Sequence, residues 1–383
     1  MTVKIKCDNI VTPSGIYDGY LYFSDGVITE ISKNDKKCDT GYDLTGKTLM
    51  AGFVELHSHG AGGYPFLTEE AEVVARACDF HLKHGTTTIL PTLSASPIDV
   101  MERGVMAIKE ARDGHLTRAN IVGAHLEGPY LSPEQCGAQC TDYITEPIPE
   151  DYRALVEKLG DAVARWTYAP ERDAGGVFAR YLNERGSLPS AGHTNAKYTD
   201  MKAATDAGCK LVTHLYSCTS TVTRSMGFRS LGVIESAFLE DSLYVELIAD
   251  GKHLPSELVR MIVKIKGIDR VALITDSLEI AGTDIKEGVM AGTPFIVEDG
   301  VCKLCDRSAF AGSVATSDRL LRFAVYGCGF SLTEASKMLS DVPAVLLGLK
   351  TGRLEEGFAA DLVVLNGALE VEGVFAHGEK IEL

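Results

Sequence analysis

The chain lacks the long apolar runs of membrane proteins and has little positive charge. No stretch of its 383 residues reaches the roughly 20 apolar residues that a membrane-spanning helix requires. Residues 1–10 contain two lysines and an aspartate instead of the apolar segment of a secretory signal, so we expect a cytoplasmic protein. The 53 acidic residues outnumber the 37 basic ones, which gives a formal net charge of -16. We therefore expect neither a membrane nor nucleic acid as a partner.

The sequence also lacks a cysteine pattern that would build a structural site. Its 10 cysteines are scattered, and Cys302-x-x-Cys305 has no second pair or nearby Cys/His partner after it. A structural zinc site requires such a partner. Scattered cysteines in a chain without an export signal are typical of reduced thiols. We therefore expect no disulfides.

Two patterns of apolar residues divide the chain into segments of different predicted secondary structure. Residues 1–48 and 352–383 consist of short β-rich runs with turn signals such as Asp25-Gly26, and the tail is expected to pair with the N-terminal unit. Residues 49–351 contain eight strand-like runs, each followed by a helical stretch, which is the number that closes a barrel. We predict an α/β fold in which 49–351 form a (β/α)8 TIM-type barrel and 1–48 with 352–383 form a small, discontinuous β-sandwich domain. The predicted barrel strands are 49–55, 86–90, 121–125, 166–169, 188–191, 211–215, 245–249 and 271–275.

Histidines and carboxylates occur at the ends of these predicted strands, although the chain has only 10 histidines. The carboxyl ends of parallel barrel strands meet at one mouth, so side chains far apart in sequence can converge there. Two histidines end the first strand at alternate positions, which points both imidazoles the same way. Singly, each residue is more typical of a structural histidine or a capping aspartate than of a metal ligand. As a set they indicate a metal site, which comprises His57, His59, Glu127, His193, His214 and Asp276.

Such a site favours hydrolysis of an unactivated amide. A divalent ion lowers the pKa of bound water and polarises a carbonyl. Asp276 is the candidate general base, which takes the proton of the water and returns it to the leaving amine. The same carboxylate can instead be a plain ligand or a helix cap. Imidazole and carboxylate ligands accept zinc, iron, manganese or nickel, so the residues leave the metal open.

A series of motifs runs through nearly the whole chain, each weak alone and specific in this order. In sequence they are His125-Leu126-Glu127-Gly128-Pro129-Tyr130, Gly137-Ala138-Gln139, Ala191-Gly192-His193-Thr194, Thr213-His214-Leu215-Tyr216, Ile248-Ala249-Asp250-Gly251-Lys252-His253, Thr275-Asp276-Ser277 and Ala311-Gly312-Ser313. Together they resemble the amidohydrolase superfamily and, within it, the N-acetylglucosamine-6-phosphate deacetylases. The resemblance implies a metal-dependent enzyme of the carbon-nitrogen hydrolase class.

The resemblance also implies roles for the metal-site residues. Glu127, His193 and His214 would hold the principal metal, and Asp276 would be the catalytic acid/base. His57 and His59 match those members that bind a second ion, so one or two ions are expected, with zinc or iron as the family's metals. No lysine ends the fourth predicted strand, which disfavours a carbamylated-lysine bridge and leaves Glu127 as the bridging group.

The substrate implied by the resemblance is an amino sugar phosphate. His253 matches a position that contacts the sugar phosphate, and Gln139 matches another pocket position. The family binds the phosphate with an arginine of the neighbouring subunit, which implies a homodimer. Arg229 is the best match for that arginine and Arg224 competes with it. A guanidinium suits a bidentate grip on phosphate.

The chain departs from the family pattern after Tyr216. The family usually continues Asn-Ala-Met, whereas this chain has Ser217-Cys218-Thr219. Ser217 can donate a hydrogen bond but lacks the fixed donor-acceptor pair of an amide. The change concerns specificity. We therefore expect hydrolysis of N-acetylglucosamine 6-phosphate to glucosamine 6-phosphate and acetate. The alternatives are another N-acyl amino sugar phosphate such as the galacto epimer, a cyclic amidase or deaminase reaction, or a non-catalytic scaffold.

Overall fold

Parallel strands from the middle of the chain form the barrel. The computed structural model describes residues Met1–Leu383. Its barrel strands belong to one nine-stranded sheet, in which the short strand Asn120–Ile121 is additional. The N–H of Asp276 donates to the carbonyl of His57 at 2.9 Å, and the N–H of His59 donates to that of Ser277 at 2.8 Å, which joins the last strand to the first. The barrel strands are Phe53–Ser58, Thr86–Ser94, Ala124–Glu127, Val163–Tyr168, Leu188–Ala191, Leu211–Val212, Tyr244–Ile248 and Val271–Ile274.

Amphipathic helices alternate with these strands. Helix Ala71–Lys83 buries Val74, Cys78 and Leu82, which are spaced for one helical face. These side chains belong to a cluster of 65 buried residues that also contains Leu126 of the third barrel strand. The α-helices are Ala71–Lys83, Ile98–Asp113, Pro149–Leu159, Val177–Glu184, Tyr198–Asp206, Val233–Leu239, Ser256–Lys266, Ser317–Arg322, Leu332–Ser336 and Val342–Leu346. None of the helices is long and apolar enough to cross a membrane.

A second, eight-stranded sheet contains strands from both ends of the chain. Strand Thr48–Ala51 pairs with Leu362–Leu365 in antiparallel fashion and with Thr2–Thr12 in parallel. A separate cluster of 14 buried residues lines this sheet. Its strand order is Glu379–Ile381, Val371–Ala376, Leu362–Leu365, Thr48–Ala51, Thr2–Thr12, Gly15–Ser24 and Val27–Ser32, with Thr40–Asp43 paired to Thr2–Thr12.

Smaller antiparallel elements follow two of the barrel strands. A hairpin of Thr223–Ser225 and Phe228–Ser230 lies between the sixth and seventh barrel strands in sequence. A three-stranded sheet of Glu287–Met290, Thr293–Glu298 and Val301–Leu304 follows the eighth. Two further short strands, Gly60–Ala61 and Tyr64–Pro65, pair after the first.

The first predicted strand differs from the structure. Residues 49–55 are not one strand, because Thr48–Ala51 belongs to the chain-end sheet and the barrel strand is Phe53–Ser58. Gly52 separates them, and a Cβ there would lie 2.2 Å from Thr87 Oγ1, so the close approach requires glycine. The barrel with additional antiparallel sheets agrees with the predicted fold class. The sandwich arrangement and the domain boundaries at 48/49 and 351/352 stay predictions.

Candidate metal centre

The structure brings together the six residues of the predicted metal site. They come from the first, third, fifth, sixth and eighth barrel strands or from the residues just after them. None is more than 8% exposed. His193, His214 and Asp276 have φ of 46°, 28° and 47°, a left-handed conformation that is uncommon outside glycine. Such strain persists only where the surrounding structure holds it, and it concentrates at functional sites.

Glu127 lies at the centre of the cluster. Its Oε1 lies 3.1 Å from His193 Nε2, 3.0 Å from His214 Nε2 and 3.3 Å from His57 Nε2. Its Oε2 lies 3.1 Å from His59 Nε2 and accepts a hydrogen bond from Gln139 Nε2 at 2.6 Å. One carboxylate oxygen therefore faces His57, His193 and His214 while the other faces His59. Both oxygens of this buried carboxylate thus face imidazole nitrogens.

Asp276 closes the cluster on the side of the first strand. Its Oδ1 lies 3.4 Å from both His57 Nε2 and His59 Nε2. Two groups of three possible ligand atoms have all their members within 4.8 Å of one another. The first consists of His57, Glu127 and His214, and the second of His57, His59 and Asp276.

Three of the four imidazoles are oriented through Nδ1. His193 Nδ1 donates to the Gln135 carbonyl at 2.9 Å, and His214 Nδ1 donates to the Ser217 carbonyl at 3.1 Å. His59 Nδ1 lies 3.0 Å from Ser94 Oγ. A carbonyl oxygen can only accept, so Nδ1 of His193 and His214 carries a proton, and in the neutral ring Nε2 presents a lone pair. This orientation is typical of histidines that bind a metal.

The electrostatics of the cluster favour positive charge at its centre. Burial alone would lower the pKa of His57, but the carboxylates of Glu127 and Asp276 raise it to about 10. Burial opposes ionisation of Glu127, yet the imidazoles of His57 and His193 hold its pKa well below its usual value. The ring nitrogens therefore face carboxylates that stay ionised.

The polypeptide beside Glu127 is fixed by the chain's only tryptophan. Trp166 Nε1 donates to the Gly128 carbonyl at 2.7 Å. Its ring stacks on Tyr130 with 5.4 Å between centroids. Both contacts hold the segment that follows the third barrel strand and so limit the positions open to Glu127.

A pocket of about 230 Å³ opens beside the metal-site residues. Four of the six predicted substrate-binding residues line it, namely Gln139, Ser217, Cys218 and His253. Both polar atoms of the Gln139 amide are hydrogen-bonded. Its Oε1 accepts from the Ala95 N–H at 2.9 Å, and its Nε2 donates to Glu127. The wall also contains Leu278, Met290 and Phe310, which no motif in the sequence indicated.

His253 is held by its own loop. Its Nδ1 lies 3.0 Å from Asp250 Oδ2, and its N–H donates to Asp250 Oδ1 at 2.9 Å. The ring lies 4.8 Å from that of Phe310. Asp250 is buried, so the carboxylate fixes which ring nitrogen faces away from the pocket.

The two arginines predicted for phosphate binding do not line this pocket. Arg229 and Arg224 lie opposite each other in the hairpin of Thr223–Ser225 and Phe228–Ser230, and both are exposed. At the hairpin, Met226 is 93% exposed and Phe228 is 78% exposed. Large apolar side chains this exposed are typical of a surface that contacts another protein.

Comparison with known proteins agrees with the geometry. The family model described as the amidohydrolase family matches residues 48–381. The chain belongs to the amidohydrolase family. Among curated relatives of this amidohydrolase, the N-acetylglucosamine-6-phosphate deacetylase of Haemophilus influenzae is 30% identical over 97% of both chains. The N-acetylgalactosamine-6-phosphate deacetylase of Shewanella sp. strain ANA-3 is also 30% identical, over 93% of this chain and 90% of the relative.

Solved structures give the same fold for this amidohydrolase. The N-acetyl-D-glucosamine-6-phosphate deacetylase of Mycobacterium smegmatis superposes with a TM-score of 0.92 at 30% identity, over 99% of this chain and 100% of that one. The enzyme from Pasteurella multocida gives a TM-score of 0.92 at 28% identity, over 100% of both chains.

Divalent metals are general in the family, and the residues of this amidohydrolase fit such an ion. His193 Nε2 and His214 Nε2 lie 3.2 Å apart, and each lies about as close to Glu127 Oε1. Two lone pairs and a carboxylate oxygen at these distances repel one another unless a cation lies among them. Both nitrogens of the buried His57 also lack a hydrogen-bond partner. Nitrogen and oxygen donors of this kind suit zinc or iron equally.

Proposed function

We propose that the chain hydrolyses the N-acetyl group of N-acetylglucosamine 6-phosphate, which yields glucosamine 6-phosphate and acetate. The observation that carries the proposal is Asp276 Oδ1, 3.4 Å from two imidazoles of a buried cluster that opens into the pocket. A carboxylate beside a cation site and a substrate cavity can move a proton during amide hydrolysis. The full-length similarity to deacetylases of this specificity supports the substrate.

Glu127, His193 and His214 would hold the principal ion, and His57 and His59 a second one with Glu127 between them. Zinc or iron is the expected metal. When bound, a divalent ion lowers the pKa of water and polarises the acetyl carbonyl. The hydrogen bonds from Nδ1 of His193 and His214 keep their Nε2 atoms aimed at the ion.

Asp276 moves the proton. Its carboxylate takes a proton from the attacking water as the water oxygen bonds to the acetyl carbon. It then gives the proton to the amide nitrogen, so the C–N bond breaks with a neutral amine as the leaving group. Burial favours this role because the side chain of Asp276, 12% exposed, exchanges its proton with few competing waters.

The pocket residues orient the sugar. His253, fixed by Asp250, can bind the sugar phosphate through its free Nε2. Gln139 keeps Glu127 in place from the pocket side. Ser217 and Cys218 form part of the wall, at the point where the sequence departs from the family pattern, and we assign them to substrate discrimination.

The phosphate is bound by a second copy of the chain. Arg229 is exposed and its guanidinium makes one contact, with the Gly227 carbonyl at 3.1 Å. An arginine on a protruding hairpin with apolar neighbours can reach the pocket of a partner subunit in a homodimer. Arg224, on the opposite strand of the hairpin, is the alternative donor.

The ten cysteines are all free thiols, which agrees with a cytoplasmic enzyme.

The first test is release of acetate from N-acetylglucosamine 6-phosphate by the metal-replete protein. Turnover is expected to require the 6-phosphate, so N-acetylglucosamine itself serves as the matched control. Loss of turnover after chelation and its return with Zn²⁺ or Fe²⁺ would establish the metal requirement. A metal-loaded protein that turns over no acetylated sugar phosphate would contradict the proposal.

The galacto epimer is the second candidate substrate. A relative of that specificity is as similar to this chain, at 30% identity, as the glucosamine enzymes are. The Ser217-Cys218 departure also lies in the pocket wall. Measuring kcat/KM for both epimers in one preparation decides between them.

A further inference from the structure

A fully buried ion pair lies inside the barrel, beside the metal-site residues. Arg165 of the fourth strand and Glu246 of the seventh are both 0% exposed. Arg165 donates to both oxygens of the carboxylate, from Nη1 to Oε1 and from Nη2 to Oε2, the second at 2.9 Å. A bidentate pair of this kind fixes the orientation of the carboxylate as well as its position.

The remaining contacts of Arg165 hold the pair rigidly. Nε donates to Ser190 Oγ at 2.8 Å, Nη1 to the Leu56 carbonyl at 3.1 Å and Nη2 to Thr213 Oγ1 at 2.9 Å. The guanidinium is therefore bound to the first, fifth and seventh strands of the barrel and to the residue that follows the sixth. Leu56 directly precedes His57, so one of these contacts fixes the backbone of a metal-site residue.

Glu246 faces Nδ1 of His57, the ring nitrogen that points away from Glu127 and Asp276. Its Oε2 lies 3.7 Å from His57 Nδ1, which is longer than a hydrogen bond by a few tenths of an ångström, and Nδ1 has no other partner. The neighbouring His125 cannot supply one, because its two ring nitrogens already contact Thr92 Oγ1 at 3.1 Å and Thr167 Oγ1 at 2.7 Å. His57 is thus the one imidazole of the cluster whose Nδ1 faces a carboxylate.

We propose that the Arg165–Glu246 pair positions His57 as a metal ligand and thereby sets the affinity of the second ion. The carboxylate selects the ring form with the proton on Nδ1, so the Nε2 lone pair faces Glu127 and Asp276. His59, His193 and His214 obtain the same orientation from a hydroxyl or a carbonyl group. The proposal concerns the ion held by His57 and His59 and rests on the metal-dependent function proposed above.

A purely structural role makes a different prediction. Replacing a buried ion pair by apolar side chains of similar volume is often neutral or stabilising, so stability alone gives little reason for the pair. A structural pair would leave the number of bound ions unchanged in any folded variant. A positioning pair would change that number specifically.

The decisive variant is Glu246→Gln. The glutamine oxygen is needed by Arg165, so its NH₂ group turns towards His57 Nδ1 and forces the proton onto Nε2, which then cannot bind a metal. We expect the wild type to bind two Zn²⁺ per chain in equilibrium dialysis of apoprotein with elemental analysis. In the variant, the dissociation constant of one Zn²⁺ should rise about 10- to 100-fold while that of the other stays unchanged.

Two further variants complete the experiment. Ser190→Ala removes a contact of Arg165 without touching Glu246 and should keep both ions. If Glu246→Gln does not fold, the double variant Arg165→Met/Glu246→Met removes both charges together and should bind one Zn²⁺ tightly. Two tightly bound ions in the folded Glu246→Gln variant or in the folded double variant, or a single ion in the wild type, would overturn the proposal. Acetate release by the wild type reports separately on the proposed function.

Discussion

Asp276 carries the proton in the proposed reaction, so its replacement isolates that step. Asp276→Asn keeps the size and removes the basic oxygen. We expect kcat to fall by about 10²- to 10⁴-fold, because general acid–base catalysis contributes that much. Acetate release measures the change, and elemental analysis shows whether metal is retained. Asp299→Asn, at an aspartate whose side chain is 76% exposed, is the control and should keep full activity.

Ser217 offers a test of specificity at the residue scale. Ser217→Asn places in the pocket wall the longer amide of the family pattern that the sequence resembles. The added hydrogen bonds should lower KM for the preferred epimer by roughly 3- to 10-fold, since one hydrogen bond contributes about 1 kcal/mol. The value of kcat should change little because Asp276 is untouched. Equal KM values for wild type and variant with both epimers would mean that Ser217 does not contact the sugar.

Strand-end histidines and acids could be found from the sequence because polar residues end apolar runs there. His193 and His214 follow this pattern, and the structure brings them together. Arg165 and Glu246 also interrupt apolar strands, but only tertiary structure shows that they pair with each other and face His57. The role of Arg229 in phosphate binding stays a prediction.

At the scale of elements, Asp318 connects two helices. It lies in the first turn of Ser317–Arg322, contacts Arg322 Nη1 at 2.8 Å and lies 3.2 Å from Nδ1 of His84, which caps Ala71–Lys83. Burial opposes ionisation of Asp318, but the hydrogen bonds from His84 and Thr316 and the charge of Arg322 hold its pKa far below its usual value. The ionised carboxylate therefore stabilises the folded state.

Asp318→Asn should lower the free energy of unfolding by about 2 kcal/mol at pH 7, as expected for hydrogen bonds to a charged group. A carboxyl whose pKa is lowered by folding stabilises above its unfolded pKa and loses that effect as the pH falls towards the folded one. The difference in the free energy of unfolding between wild type and variant should thus be constant from pH 7 to about pH 5 and should become smaller below about pH 4. Urea unfolding at each pH measures it. The exposed Asp284→Asn should show no such difference.

Element types were more predictable than element boundaries. The fifth barrel strand has the predicted bounds, Leu188–Ala191, whereas the sixth, predicted at 211–215, is only Leu211–Val212. His214 adopts a left-handed φ beyond its end, and no local apolar pattern encodes that turn. The sheet that begins at Glu287–Met290 packs Met290 and Phe295 against Ala138, a distant contact that sequence periodicity does not reveal.

At the scale of the whole molecule, a shared phosphate site can be tested by mixing two defective chains. Arg229→Met removes the proposed donor to the partner's pocket, and Asp276→Asn removes the proton carrier. In a mixed dimer, one pocket combines an intact Asp276 with an intact Arg229 of the other chain. Joint refolding of equal amounts should therefore restore about a quarter of wild-type activity, since half of the dimers are mixed and each has one intact pocket.

Arg224→Met gives the matched control in the same hairpin. If Arg229 is the donor, Arg224→Met should retain activity alone and Arg229→Met should not. Additive residual activities on mixing would mean that each pocket uses arginines of its own chain. The converse result, rescue only with Arg224→Met, would assign the phosphate to Arg224.

Two patterns of apolar residues in the sequence predict the architecture of the chain: short β-rich runs at both ends and alternating strands and helices between them. Strand–helix alternation predicted the barrel, and both chain ends contribute to one sheet. The pairing of Thr48–Ala51 with Leu362–Leu365 joins the N-terminal and C-terminal parts of the chain, as the sequence predicted. Periodicity alone does not identify which strand of the N-terminal unit is the partner of the tail.

Trp166 gives this molecule an internal optical reporter. As the chain's only tryptophan, it is the sole source of indole emission, and its N–H is bonded to the carbonyl of the residue after Glu127. A cation bound beside Glu127 would change the electric field at this fully buried ring. Fluorescence during a titration with metal would therefore follow the filling of the centre in real time, without a label and without turnover.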